Sequence, residues 1–370
     1  MQIYSGTRIE KAEAMLYFVR TAMFFEKSSL DELKSLSKFK IVDKELNNLI
    51  IDADSGLLEK MKKRDATFIH SAFKICLRGK ISKEKYLDSL YAPVLEAIKS
   101  AKMSKKEVVV LECYDINNKE GYSAKDIEVN LGKRLIRDGC TADLVNPSRR
   151  VYMVLLNGNY YIGQEKLSGP RMVNLDPLRR VAYGISRAEL KIEQAFDEFK
   201  IDGSGIAIDL GAAPGGWSGF LATNGYKVIA IDTADLDLKS LSKMGIKRVT
   251  VEKSPKNIVK SLSNSDIVHL KSRSAEALGM LRGIRADLLA DDMNLDCRTS
   301  IGEINRYAKL LRNGGILVMT IKCITRNAPR YIREAKRMLK PAFRIKGIKV
   351  LPSNRQELTL YAVYKCSGVP

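Results

Sequence analysis

The sequence predicts an α/β chain, a mostly parallel sheet wound with helices on both sides and preceded by an α+β region. Three observations predict it. From residue 186 onward helical and strand patterns alternate, which is the order of a doubly wound parallel sheet. Ile206-Ala-Ile-Asp-Leu-Gly-Ala-Ala-Pro-Gly-Gly-Trp217 is a short apolar run that ends in an acid and a glycine-rich turn. Residues 1–80, by contrast, mix strand and helix signals as a small α+β unit does.

At 370 residues the chain is too long for one ordinary core and long enough for two or three domains. Lys and Arg number 63 against 43 Asp and Glu, and the resulting formal charge of +20 points to a polyanionic partner. Nucleic acid leads over a membrane surface, because no stretch approaches the ~18 apolar residues of a spanning helix. A membrane partner is not expected. Met1-Gln-Ile-Tyr-Ser-Gly lacks a basic start and an apolar signal core, so a cytoplasmic location is expected. Cys76, Cys113, Cys140, Cys297, Cys323 and Cys366 are dispersed with no C-x-x-C pair, and His70 and His269 are the two histidines. Neither a metal site nor triad chemistry is expected, so a mechanism must be built from Lys, Asp and Glu.

In chain order, residues 1–5 are expected to be extended, 10–25 helical, 39–42 and 49–52 strands, 56–63 a short helix and 66–77 a strand region. Together they predict a ferredoxin-like domain over residues 1–81. A helix over 82–101 follows, capped by Ser82 with Glu84 in its first turn. It opens a second domain, residues 82–165. There Val108-Val-Val-Leu-Glu-Cys-Tyr114 is a strand, 123–137 a helix opened by a serine cap, and 142–145 and 151–156 strands joined by an Asn146-Pro147 turn. Tyr160-Tyr-Ile-Gly163 closes the unit. Residues 166–185, with Gly169-Pro170, Asp176-Pro177 and Arg179-Arg180, read as a linker, and residues 186–370 as the third domain.

In that third domain Ile206, Ala207 and Ile208 suit a buried parallel strand with Asp209 at its carboxyl end. Gly211, Gly215 and Gly216 let backbone approach a ligand. Ala212 stands where a dinucleotide fingerprint has the glycine that admits a pyrophosphate, so a ligand without one fits better. S-adenosylmethionine is the candidate, since its ribose needs an acid. Lys227-Val-Ile-Ala-Ile-Asp232 supplies that acid, about 20 residues on.

Asp209-Leu-Gly-Ala-Ala-Pro-Gly-Gly-Trp-Ser218 resembles the cofactor motif of the FtsJ-like (RrmJ) ribose 2′-O-methyltransferases. The resemblance implies a Rossmann-like class I methyltransferase sheet, and an S-adenosylmethionine site built from Asp209, Gly211, Pro214, Gly215, Gly216, Trp217, Asp232 and Asp292. It also implies a Lys-Asp-Lys-Glu tetrad. Lys191 lies in Ser186-Arg-Ala-Glu-Leu-Lys191, Asp292 ends the strand Ala286-Asp-Leu-Leu-Ala-Asp-Asp292, Lys322 ends Gly314-Gly-Ile-Leu-Val-Met-Thr-Ile-Lys322, and Glu357 lies in Arg355-Gln-Glu357. Ribose methylation needs a base in hydrogen-bond reach of a weakly acidic hydroxyl. Lys322 is the expected base, made less basic by Lys191 and by desolvation. Asp292 is expected to orient Lys322 near the sulfonium, and Glu357 to position Lys191 or the ribose.

Two stretches depart from that family's pattern. Asn294-Leu-Asp296 replaces the usual Ala-Pro-Asn, and Asp266-Ile-Val-His-Leu-Lys-Ser-Arg-Ser274 lacks the acid that holds the adenine amino group, leaving backbone or Ser272 for that contact. The Ile267-Val-His-Leu270 strand is closer to the RlmM-like branch, which methylates large-subunit ribosomal RNA. Residues 104–165 resemble a THUMP domain, an RNA-binding module of RNA-modifying enzymes. On the third domain, Asn327 is expected to cap a helix with Pro329 in its first turn, and Arg330, Arg333 and Arg337 share one face that, with Arg326, can grip phosphates. A helix over 303–312 is expected to pack beneath the next strand.

The resulting expectation is an S-adenosylmethionine-dependent RNA ribose 2′-O-methyltransferase acting on structured RNA, ribosomal RNA ahead of tRNA. Two other readings stay open. A THUMP-linked tRNA base N-methyltransferase would carry an Asn/Asp-Pro-Pro-Tyr/Phe clamp, and Asp292-Met-Asn-Leu295 has neither proline nor aromatic. A non-catalytic RNA-binding or assembly factor would have no use for an intact tetrad.

Overall fold

The structure is a computed structural model that describes residues 10–11, 15–100, 108–117, 121–142, 149–164, 188–253, 258–325 and 327–365. It divides into two units, Met1–Ser168 and Gly169–Pro370. The expectations for residues 1–5, the Asn146-Pro147 turn, most of the 142–145 strand, the 166–185 linker and Arg326 lie outside the described residues. No described helix is long and apolar enough to cross a membrane.

The first unit opens with β1 (Glu10–Lys11), β2 (Leu16–Thr21), α1 (Glu26–Leu36), β3 (Phe39–Glu45), β4 (Asn48–Ala53), α2 (Leu57–Arg64) and β5 (Ile69–Lys80). From β2 on, this is the β-α-β-β-α-β order of a ferredoxin-like unit, and its strands line up as β3-β4-β2-β5 with every neighbour antiparallel. The helix expected over 10–25 is therefore corrected to strand. Leu16, Tyr17, Phe18 and Val19 are all buried, because β2 lies between β4 and β5 with both faces covered. A strand buried on both faces shows no alternation and cannot be told from a helix by periodicity.

The chain continues through α3 (Tyr86–Ser100), β6 (Val108–Asp115), α4 (Ala124–Arg137), β7 (Thr141–Ala142), β8 (Arg149–Leu156) and β9 (Asn159–Gly163). The helix expected to start at Ser82 starts at Tyr86, and Asp88 rather than Glu84 is the acid of its first turn. Ser82 does not cap it: its backbone N–H donates to Ser89 Oγ at 3.2 Å, so the segment is pinned to the helix side. Ser123 does cap α4, and forms a reciprocal capping box with Asp126. The start of β5 pairs with β2 and its end with β9, so one sheet runs through both halves of the unit.

The second unit runs α5 (Glu189–Phe199), β10 (Gly205–Leu210), α6 (Gly216–Thr223), β11 (Tyr226–Asp232), α7 (Leu238–Lys243), β12 (Val249–Glu252), α8 (Ile258–Asn264) and β13 (Ile267–Lys271). It continues with α9 (Ser274–Met280), β14 (Ala286–Asp291), α10 (Cys297–Tyr307), β15 (Leu311–Lys322), α11 (Ala328–Leu339), β16 (Phe343–Lys349) and β17 (Glu357–Tyr364). Strand order is β12-β13-β11-β10-β14-β15-β17-β16, parallel up to β15 and antiparallel thereafter. The chain leaves β10 toward β11 and returns on the other side as β14. A crevice is therefore expected at the carboxyl ends of β10 and β14, where the winding reverses.

Its core is the apolar runs themselves. Ala207 and Ile208, Val228 to Ala230, Leu288 to Ala290 and Leu317 to Met319 are buried between helices on both faces. The helix expected over 303–312 is corrected to α10, which begins six residues earlier. Asp296 caps it by accepting the backbone N–H groups of Arg298 and Thr299, and Arg312 already lies in β15. The buried stripe Cys297, Ser300, Ile301, Ile304 and Tyr307 sets that frame. At α11 the position of Asn327 and Pro329 is as expected, but the Asn327 side chain makes no capping bond.

Candidate active site

Four charged side chains from four elements meet at the carboxyl edge of the second sheet. Lys191 projects from the first turns of α5, whose start is held where Trp217 Nε1 donates to the Ala188 carbonyl at 2.7 Å. Asp292 is the first residue past β14, fixed by its own N–H to the Leu210 carbonyl at 3.2 Å. Lys322 ends β15 and Glu357 begins β17. The antiparallel register makes those two direct partners.

The four close into a ring of alternating charge. Lys191 Nζ lies 3.1 Å from Asp292 Oδ2 and 2.6 Å from Glu357 Oε1. Lys322 Nζ lies 2.7 Å from Asp292 Oδ1 and 2.7 Å from Glu357 Oε2. Side-chain exposure is 7% for Lys191, 11% for Asp292 and 10% for Glu357, against 21% for Lys322, so Lys322 is the member a substrate reaches most readily. Two ammonium groups and two carboxylates compensate one another, which lets so many charges stay buried; removing one leaves an unpaired charge.

Electrostatics correct one expectation. Burial does push the Lys322 ammonium toward its neutral form, but Asp292 and Glu357 outweigh burial and hold its pKa above the ordinary lysine value. The two carboxylates, not Lys191, decide the balance. Burial likewise pushes Glu357 up, and Lys191 and Lys322 bring it below the usual carboxylate value.

Beside the ring lies the glycine turn. Gly211 has φ +78°, and a Cβ there would lie 2.9 Å from the Met293 backbone, so two chain segments meet at van der Waals limit. Gly215 has φ +111° and precedes α6, which starts at Gly216; Pro214 is exposed. Asp232 is half-buried and accepts the backbone N–H groups of Ala213 at 3.0 Å and Ala234 at 2.9 Å, which orients its carboxylate at the end of β11.

Two residues expected at the cofactor turn out to lie inside the protein. Trp217 is buried in the core. Asp209 is fully buried, its Oδ2 accepts Ser218 Oγ–H at 2.6 Å, and its Oδ1 has no partner. Burial pushes its pKa up to about 7 against the Ser218 bond, and Asp292, Asp291 and Asp232 add to the rise. Both residues therefore support the turn from behind.

Several residues at the site carried no sequence signal. Thr320 Oγ1 donates to Asp292 Oδ1 at 2.8 Å, onto the oxygen that also accepts Lys322. Gln194, one turn beyond Lys191 on α5, accepts the Ser353 N–H at 2.9 Å and pins the loop that leads to Glu357. Asp291 is buried like Asp209 and accepts Ser300 Oγ–H and the Met293 N–H. Ser272, the side chain expected to stand in for the acid missing from β13, donates its Oγ–H to Glu276 Oε2 of α9 at 3.1 Å.

Residues 185–354 match the family model of the FtsJ-like methyltransferases, a span that includes Lys191, Asp292 and Lys322 and stops short of Glu357. An uncharacterized protein of Methanocaldococcus jannaschii is 26% identical over 198 residues, 50% of this chain and 49% of that one. Ribosomal RNA large subunit methyltransferase M of Shewanella sp. (strain W3-18-1) is 30% identical over 162 residues, 40% of this chain and 44% of that one. The chain thus spans about half the length of the curated relatives it matches. Among solved structures, TrmN from Thermus thermophilus is 16% identical and covers 95% of this chain and 99% of its own, with a TM-score of 0.36, too low to carry an argument.

Proposed function

We propose that this chain is an S-adenosylmethionine-dependent RNA ribose 2′-O-methyltransferase, with ribosomal RNA ahead of tRNA as substrate. The observation that carries the reading is the closed Lys191–Asp292–Lys322–Glu357 ring beside a glycine turn at the sheet's switch point. The FtsJ-like match over residues 185–354 and the name of the Shewanella relative support it. The formal charge of +20 suits an RNA partner, and the N-terminal unit is read as a THUMP-type module that captures structured RNA. A cytoplasmic location belongs to the same reading.

The residues present fit the cofactor. Gly211, Gly215 and Gly216 would line it, the half-buried Asp232 carboxylate would accept its ribose hydroxyls, and Asp292 is an anion suited to a sulfonium. When bound, the group supplies an electrophilic methyl on a cationic sulfur. Lys322 takes the proton of the ribose hydroxyl at Nζ. It is held charged while both carboxylates face it, and positive charge beside Asp292 competes for one of them, which shifts Lys322 toward the neutral amine. Lys191 keeps Glu357 and Asp292 neutralised from the buried side.

Nucleoside mass spectrometry of ribosomal RNA and tRNA from a deletion strain tests the reading. A missing 2′-O-methyl nucleoside in ribosomal RNA is expected. Its absence from tRNA instead would move the substrate, and a missing base-methylated nucleoside would overturn the ribose assignment.

A further inference from the structure

We infer that the loop after β15 and the outer face of α11 form a docking surface for the single-stranded RNA that flanks the methylated nucleotide, with Ile324 against a base and Arg330, Arg333 and Arg337 on its phosphates. The inference rests on the RNA methyltransferase reading above. Ile324 follows Lys322 by two residues, so its Cα lies within about 7 Å of the base's. It is 73% exposed, more than any other large hydrophobic among the described residues. A single exposed apolar residue is ordinary in itself. Its place, at the rim of a polar catalytic ring and next to an arginine row, is not.

The loop is tied to the helix. Thr325 N–H donates to Tyr331 Oη at 3.1 Å, which keeps the first turn of α11 alongside the segment that carries Ile324. Ala328, Tyr331, Ala335 and Leu339 form the buried face of α11, and the opposite face presents Arg330, Arg333 and Arg337, all exposed. From Arg330 to Arg337 the helix rises about 10.5 Å. No acid competes for them: Glu334, the acid of this helix, is paired with Arg298 of α10, and none of the three arginines makes an ion pair among the described residues. A polyanion with unstacked bases meets both features, since apolar side chains wedge against base faces while guanidinium groups hold phosphate oxygens.

The test uses the full chain. Binding of a 12-nucleotide oligouridine is measured across a salt series for the wild type and for Arg330→Ala/Arg333→Ala/Arg337→Ala. Three lost phosphate contacts should flatten the log–log salt slope by about 2, at ~0.7 per contact on a single strand. The corresponding triple lysine variant should restore it. With RNA from the deletion strain as methyl acceptor, Ile324→Ser should raise KM for RNA about fivefold, the loss of roughly 1 kcal/mol of apolar burial against a base, with affinity for S-adenosylmethionine unchanged. An unchanged slope together with an unchanged KM overturns the surface. Equal flattening on a 12-base-pair RNA duplex overturns the single-strand assignment. If the wild type transfers no methyl group to that RNA, the enzyme reading fails while the slope still reports on the surface.

Discussion

Lys322 and Glu357 stand directly opposite each other in the β15–β17 ladder, with Nζ 2.7 Å from Oε2. The other Glu357 oxygen lies 2.6 Å from Lys191. One carboxylate therefore bridges two ammonium groups, and the two positive charges outweigh the burial that would otherwise raise its pKa. Because the pair is set by strand register, a side chain far along in sequence completes the ring, and each of its members can be tested by its effect on the others.

Replacing Lys322 with alanine should lower kcat by about 10²- to 10⁴-fold, the usual contribution of a positioned base, and leave RNA affinity nearly unchanged. Transfer of labelled methyl groups to RNA, with binding measured in parallel, checks it. Methylation at the wild-type rate would remove Lys322 from the base role.

The pH profile should report the same group. Asp292 and Glu357 hold Lys322 above the ordinary lysine value, and the base must be neutral to accept a proton, so kcat/KM should rise with pH toward the alkaline side. In Glu357→Gln one of the two carboxylates is gone. The rising limb should then move to lower pH, and a limb that stays in place or moves higher would contradict the assignment.

Thr320 should act as a positioning residue. Its hydroxyl donates to Asp292 Oδ1 from a buried site, and Thr320→Val keeps the shape while removing that bond. Stability should fall by about 1 kcal/mol. kcat should fall with KM for RNA unchanged, and Thr320→Ser should recover it. A valine variant that loses stability but keeps full kcat would reduce Thr320 to packing.

Asp209 and Asp291 should make the fold less stable as pH rises. Burial pushes each up to about 7, against the bonds from Ser218 to Asp209 and from Ser300 to Asp291. Unfolded, both ionise near 4. Between about 4 and about 7 the folded chain keeps protons that the unfolded chain has released, so this stabilising contribution is complete below that window and lost above it. Denaturant unfolding across the window should show stability falling with pH, and Asp209→Asn or Asp291→Asn should each reduce the slope. An unchanged slope in both variants would rule out these carboxyls as its source.

By itself the sequence carried the α/β class and the glycine turn after β10 in its local pattern, while the four members of the ring came from the family resemblance: Asp292, Lys322 and Glu357 stand at strand ends and Lys191 on α5. The Ser123 cap was legible in the local pattern too, since a cap and its acid lie three residues apart. What local pattern could not decide was anything set by neighbours distant in sequence. Residues 16–21 became strand rather than helix because β4 and β5 cover them on both sides, and α10 took its frame from the stripe Cys297, Ser300, Ile301, Ile304 and Tyr307 that it buries. Asp209 and Trp217 went to the interior, and Thr320 and Gln194 came to the site, through contacts between separate elements. The balance on Lys322 was decided there too. Residue type says that a lysine is present, but only its distances to Asp292 and Glu357 say that their attraction outweighs its desolvation.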